Sequence, residues 1–128
     1  MNPDEFKYNE EHTWLLVEDA KLGRVGITHY AQEQLKDVVF IELPEVGTEV
    51  VRMEPFGVIE SVKATNDLFS PVSGVVTEVN DTLKDNPAIV NQDPYGNGWM
   101  IIVNMTDSSE LDSLMSAEKY GALVEGSI

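Results

Sequence analysis

The 128-residue sequence contains no cysteine. That excludes structural disulfides, thiolate metal sites, cysteine nucleophiles and protein-borne dithiol chemistry together, so any sulfur chemistry requires a cofactor. Basic residues are scarce: eight Lys and Arg stand against 23 Asp and Glu, for a formal net charge of −15. Such a charge repels phosphate backbones and anionic lipid, and no basic run offers a local exception, so neither nucleic acid nor a membrane surface is an expected partner. No apolar run approaches the roughly 20 residues that span a bilayer, and the opening MNPDEFKYNEEHTW lacks both a basic n-region and an apolar h-region. A cytoplasmic protein is expected, or one of the mitochondrial matrix if it is eukaryotic with its transit peptide removed. Histidine is limited to His12 and His29, in different segments, and the acidic residues lack the ladder of a calcium loop, so no metal site is expected. No serine sits in a Gly-x-Ser-x-Gly elbow, and Gly96-Asn97-Gly98 follows no strand-to-helix pattern that would make it a nucleotide loop.

What is present is a chain of one-domain length with an ordinary 42% of hydrophobic residues, expected to fold as a single unit over 1–128 and as a monomer. Its first two-thirds is punctuated like an all-β domain, short β-branched or aromatic runs alternating with Gly, Pro, Asn and Asp. Thr13 to Val17 and Arg24 to Ile27 read as a hairpin joined through Glu18, Asp19, Ala20 and Lys21. Thr28 is placed to cap a short helix running to Lys36, in which His29 should be neutral and solvated. Val38 to Leu43 and Glu49 to Arg52 follow as strands, separated by the turn signal Pro44 to Gly47.

The segment from about 56 to 79 reads as a hairpin with Lys63 at its tip: Phe56 to Val62 outward, then Leu68 to Val72 and Gly74 to Val79 on the return. Asn66 and Asp67 favour a tight turn through side-chain bonds to nearby backbone, which leaves Lys63 projecting into water, and Pro71 and Gly74 bend the returning strand. Asn86 to Gly98 is expected to be a long irregular loop with a functional surface, and Trp99 to Asn104 a strand. Two helices are predicted over about 107–125, one opened by a capping box of Asp107 with Glu110, the other capped by Ser116 with Tyr120, Leu123 and Val124 on one face. Trp14 and Trp99 read as core anchors, since large aromatics mainly supply buried area.

The string Glu60-Ser61-Val62-Lys63-Ala64, followed by Asn66-Asp67 and Ser70-Pro71-Val72-Ser73-Gly74, resembles the swinging-arm carrier domains in which an exposed turn lysine is acylated by lipoate or biotin. Biotin carriers usually flank that lysine with methionine; Val62 and Ala64 stand here, which favours lipoate. The resemblance widens to the H-protein family of the glycine cleavage system through His12-Thr13-Trp14, Gly26-Ile27-Thr28 with Tyr30-Ala31-Gln32, Val38 to Gly47, Val79-Asn80, Pro94-Tyr95-Gly96, Gly98 to Ile101 and Leu114 to Glu118, in that family's order over residues 7 to 124.

The resemblance implies a mainly β, lipoyl-type flattened β-barrel sandwich, a barrel-sandwich hybrid with short edge and C-terminal helices, and a carrier without catalytic residues. Lipoate is implied in covalent linkage to Lys63, attached by a lipoate ligase or a lipoyl/octanoyl transferase. The implied partners are a glycine decarboxylase, an aminomethyltransferase that passes the one-carbon unit to tetrahydrofolate, and dihydrolipoyl dehydrogenase. A lipoyl donor or relay in protein lipoylation, a biotin carrier and an unmodified acidic interaction domain are the alternatives. The family folds its loaded arm into a cleft on its own surface, implied here to involve Glu11, Thr13, Tyr30, Glu60, Ser61 and Asp67. Three positions depart from many relatives: Thr13 where glutamate is often found, Tyr30 where some have histidine, and Lys36 where glycine is common. With Thr13 uncharged, Glu10, Glu11 and Asp67 are the substitutes expected to bind a protonated amine.

Overall fold

The computed structural model describes residues 2–19 and 21–126, so Ala20 in the first predicted turn lies outside the described residues. In chain order the elements are β1 (Lys7–Tyr8), β2 (Thr13–Val17), β3 (Leu22–Ile27), α1 (His29–Leu35), β4 (Val38–Glu42), β5 (Glu49–Val50), β6 (Pro55–Ser61), β7 (Thr65–Phe69), β8 (Gly74–Val79), α2 (Thr82–Asp85), α3 (Ile89–Gln92) and β9 (Ile101–Met105), then a 3-10 helix over Ser108–Ser113 and α4 (Ala117–Gly126). A six-stranded sheet in the order β1-β2-β3-β9-β8-β5 faces a three-stranded sheet in the order β4-β6-β7, all pairings antiparallel. The two sheets form a mainly β sandwich and do not close into a barrel.

Alternation along the strands sends Leu15, Val25, Val76, Ile101 and Val103 of the large sheet against Ile41, Ile59 and Leu68 of the small one, all buried. A second, aromatic cluster of Phe6, Tyr8, Trp14, Ala117 and Tyr120 lies under the C-terminal helix, with Tyr8 stacked on Tyr120 at 4.8 Å. Trp14 is fully buried there and donates its Nε1–H to Pro94 O at 3.0 Å. Trp99 is half-buried, packed against this cluster with the Arg24 guanidinium 5.2 Å from its ring.

Several expectations need correction. Asn66 and Asp67 are not turn residues: they lie in β7 and pair with Ile59 and Val58 of β6. The turn residues are Val62, Lys63 and Ala64, because Ser61 supplies the local side-chain bonds that Asn66 and Asp67 were expected to make. The hairpin accordingly spans Pro55–Phe69, and the bend at Pro71 carries the chain across to the other sheet, where Gly74 opens β8. Glu110 closes no capping box. It reaches across to Ser73, accepting from its backbone N–H at 2.7 Å and its hydroxyl at 2.8 Å, while Asp107 alone caps the turn through Ser109 N. The first terminal helix is therefore a short 3-10 segment. In α4, Ala117, Tyr120 and Val124 face inward while Leu123 is exposed.

The expected loop from Asn86 to Gly98 contains α3, and its polar residues act as splints. Asn91 donates to Gln32 Oε1 and Lys36 O and accepts from Val38 N, while Tyr95 OH accepts from His29 N, so this segment clamps α1 against the start of β4. His29 is half-buried and paired, its Nε2 lying 3.4 Å from Glu33 and its Nδ1 3.2 Å from the Gln32 amide.

Candidate functional site

The tip of the small sheet is braced by one hydroxyl. Ser61 N donates to Ala64 O at 2.8 Å, and Ser61 Oγ accepts from the backbone N–H of Lys63 at 3.3 Å and of Ala64 at 3.2 Å. Val62 N donates to Asp37 O at 3.1 Å, which ties the turn to the residue before β4. Lys63 thus stands exposed on a rigid support, and among the described residues no carboxylate lies within ion-pair distance of its ammonium group. Solvation is what a turn lysine ordinarily has; the cleft beside the tip is what distinguishes this one.

That cleft, of about 550 Å³, runs along β7. One wall is Glu11, His12 and Thr13, the second is Tyr30, Ala31, Gln34 and Leu35 of α1, and the third is β7 itself, over a floor that includes Ile27, Ile59 and Leu68. β7 is an edge strand, paired only with β6 among the described strands. Because Ser61 and Ala64 form a hydrogen-bonded pair, alternation along the ladder points the main-chain groups of Asn66 and Leu68 at β6 and those of Thr65 and Asp67 the other way, into the cleft. Phe69 keeps to that pattern, its carbonyl accepting from Thr13 Oγ1 at 2.9 Å.

The fully buried Thr13 therefore has its hydroxyl proton committed to closing β2 onto β7. Glu11 and Asp67 are exposed and are the two carboxylates on the cleft walls. The structure places Glu11, Thr13, Tyr30 and Asp67 together there. Glu60 and Ser61 are not on its walls: Ser61 is used in the turn, and Glu60 accepts from Thr65 Oγ1 at 3.4 Å. Glu10 points elsewhere, into a separate groove with Arg52 and Lys119. Gln34 and Phe69 were missed, although Gln34 follows from the helical spacing, four residues after Tyr30 on the same face of α1.

His12 carries the cleft wall back to the C-terminal helix. Its backbone is left-handed, φ 68°, and its Nδ1 lies 2.7 Å from Tyr120 OH, which lies 2.7 Å from Thr28 Oγ1. Thr28 also caps α1, its Oγ1 accepting from Ala31 N at 3.2 Å. Thr28 is fully buried, so its hydroxyl proton needs an acceptor, and Tyr120 is the one within reach. Thr28 donates to Tyr120, which donates to His12 Nδ1, leaving His12 neutral with its proton on Nε2. Burial lowers the His12 pKa against the opposing charge of Glu11, and burial pushes the Tyr120 phenol up to about 12.

A lysine offered on a braced hairpin tip of a flattened two-sheet β domain, beside a cleft in the same surface, defines a carrier domain. A family model described as glycine cleavage H-protein matches residues 6–127. Glycine cleavage system H proteins of Geobacillus thermodenitrificans and Halalkalibacterium halodurans are 52% and 53% identical to the chain, each over 122 residues covering 95% of it and 95% and 94% of those proteins. The crystal structure of a glycine cleavage system H protein from Mycobacterium marinum superposes with a TM-score of 0.86 at 40% identity, covering 94% of this chain and 97% of that one. The chain belongs to the glycine cleavage H-protein family, whose members are non-catalytic carrier components of that system.

Proposed function

We propose that Lys63 Nζ bears lipoate in amide linkage and that the cleft along β7 shelters the loaded arm. When bound, the lipoyl group would supply a dithiolane whose disulfide can be reduced as it accepts an aminomethyl group from glycine decarboxylase, and, once aminomethyltransferase has removed that group, a dithiol that dihydrolipoyl dehydrogenase can oxidise back. The residues fit such a group. Among the described residues the amine of Lys63 has no ion-pair partner, the cleft floor of Ile27, Ile59 and Leu68 matches a hydrocarbon arm, and the chain itself has no thiol to compete with a dithiol.

Each cleft residue then has a task. Glu11 and Asp67, the two carboxylates lining the cleft, hold a protonated amine by charge, the work an uncharged Thr13 cannot do. Thr13 holds the cleft at its width by binding Phe69 O. Tyr30, tilted against His12 at 4.9 Å, and the apolar floor exclude water, which slows hydrolysis of a labile aminomethyl group. The observation that carries the reading is the adjacency of the free lysine to a cleft with two carboxylates. Its test is glycine-dependent CO₂ release by glycine decarboxylase: the lipoylated chain should support it and Lys63→Arg should not. No release with the lipoylated chain would overturn the assignment.

A further inference from the structure

We propose that the apolar tip formed by Val39, Phe40 and Val62 is the docking surface for the enzyme that acylates Lys63, a partner that presents an apolar socket ringed by basic side chains. The inference rests on the reading that Lys63 is acylated. Val62 is 66% exposed, Val39 54% and Phe40 47%, an unusual concentration of apolar surface at one end of a chain carrying a net charge of −15.

The three are brought together by the backbone. β4 pairs with β6 through Val38 with Ser61 and Phe40 with Glu60, so Val39 is an extra residue in a bulge. A regular strand would turn one of Val39 and Phe40 inward; the bulge leaves both in water, with Val38 and Ile41 buried on either side. The Val62 N–H bond to Asp37 O then sets Val62 against the start of the same strand. The patch therefore abuts Lys63 on the β4 side, while the cleft lies on the β7 side.

Its surroundings select the partner. Register places Phe40, Glu42, Val58, Glu60, Thr65 and Asp67 on the outer face of the small sheet, with acidic side chains and no basic one, and Asp37 adds a further negative charge at the tip. A second copy of the chain would bring the same negative face to meet it, which charge disfavours, whereas a basic-rimmed socket is attracted to it. Among enzymes that would visit Lys63, those acting at the far end of an acyl arm need place only their reacting centre an arm's length from the hairpin, and no contact with its tip follows from their chemistry. The enzyme that forms the amide must bring its reacting acyl group to Nζ itself and so must cover the tip and whatever adjoins it.

The experiment measures acylation of the unmodified protein by a lipoate ligase with lipoate and ATP. Val39→Ser/Phe40→Ser, both at positions already in water, should raise the KM for the protein about tenfold with kcat within about twofold. Val46→Ser/Val51→Ser, which removes equally exposed apolar groups away from the tip, should leave both unchanged. Added salt should raise the wild-type KM, and Asp37→Asn/Glu42→Gln should flatten that dependence. Normal acylation of wild type with an unchanged KM in Val39→Ser/Phe40→Ser overturns the docking surface while leaving Lys63 as the attachment site. So does concentration-dependent self-association that this variant abolishes, since the patch would then serve a second copy. Failure of the wild type to be acylated at all overturns the reading of Lys63 and this inference with it.

Discussion

Replacing Tyr120 by Phe removes a single oxygen that joins the C-terminal helix to the cleft wall. The ring stays stacked on Tyr8, so the change isolates two hydrogen bonds of 2.7 Å, to His12 Nδ1 and Thr28 Oγ1. Each contributes about 1 kcal/mol net, and a buried hydroxyl left without an acceptor adds a penalty of about 1 kcal/mol or more. Thr28 is in that position because its Oγ1 already accepts from Ala31 N and its proton has Tyr120 as its acceptor. The expected loss is about 2 to 3 kcal/mol, which for a domain of this size lowers Tm by about 10 °C. Urea unfolding of wild type, Tyr120→Phe, Thr28→Val and the double variant measures the loss and shows the two single effects to be non-additive. The direction of the proton chain has its own readout. With Tyr120 as donor to a neutral imidazole, Tyr120→Phe should raise the His12 pKa, followed by NMR. A fall in that pKa, or a stability loss below about 0.5 kcal/mol, would refute the relay from Thr28 through Tyr120 to His12.

Four further outcomes are expected. The His12 pKa is lowered by burial, so the unfolded chain binds the proton more readily: stability is intact above the unfolded value near 6.5 and falls as pH drops below it, and the pH dependence of urea midpoints in this range should flatten in His12→Asn. Lys36 sits at φ 65°, ψ −145°, a conformation nearly reserved for glycine, so Lys36→Gly should stabilise the protein by about 1 kcal/mol in the same unfolding assay. A Cβ at Gly57 would collide with the carbonyl oxygen of Glu42, a backbone atom that moves only if the β4–β6 ladder opens, so Gly57→Ala should cost about 2 kcal/mol or more and sharply cut acylation of Lys63. Glu11→Gln/Asp67→Asn should still reach full lipoylation of Lys63, and the half-life of its aminomethyl-loaded form should fall about tenfold, measured as release of formaldehyde and ammonia.

Short-range chemistry was legible in the sequence. Thr28 caps α1 because its hydroxyl acts three residues away, and β2 begins and ends at Thr13 and Val17 as β-propensity and the polar turn that follows indicate. The tip was legible only in outline. Ser61, Asn66 and Asp67 all favour turns for the same reason, and the ladder register decides among them by pairing Asn66 with Ile59 and leaving Ser61 to close the turn. Glu110 fitted a capping box by spacing, yet a charged acceptor was needed at the sheet crossing, where Ser73 N has no strand partner. The contacts that shape the cleft lie far apart in the chain: His12 meets Tyr120 across 108 residues and Thr13 meets Phe69 across 56, and no local pattern encodes either. Lys36, which the resemblance marked as a departure, closes α1 at a positive φ of 65°, a backbone conformation that glycine adopts without cost.

Lipoate on Lys63 is read from the intact mass of the protein purified from cells supplied with lipoate, with Lys63→Arg beside it. The wild type should gain the mass of one lipoyl group and the variant none. A biotin-sized gain, or no gain even after treatment with a lipoate ligase, would contradict it.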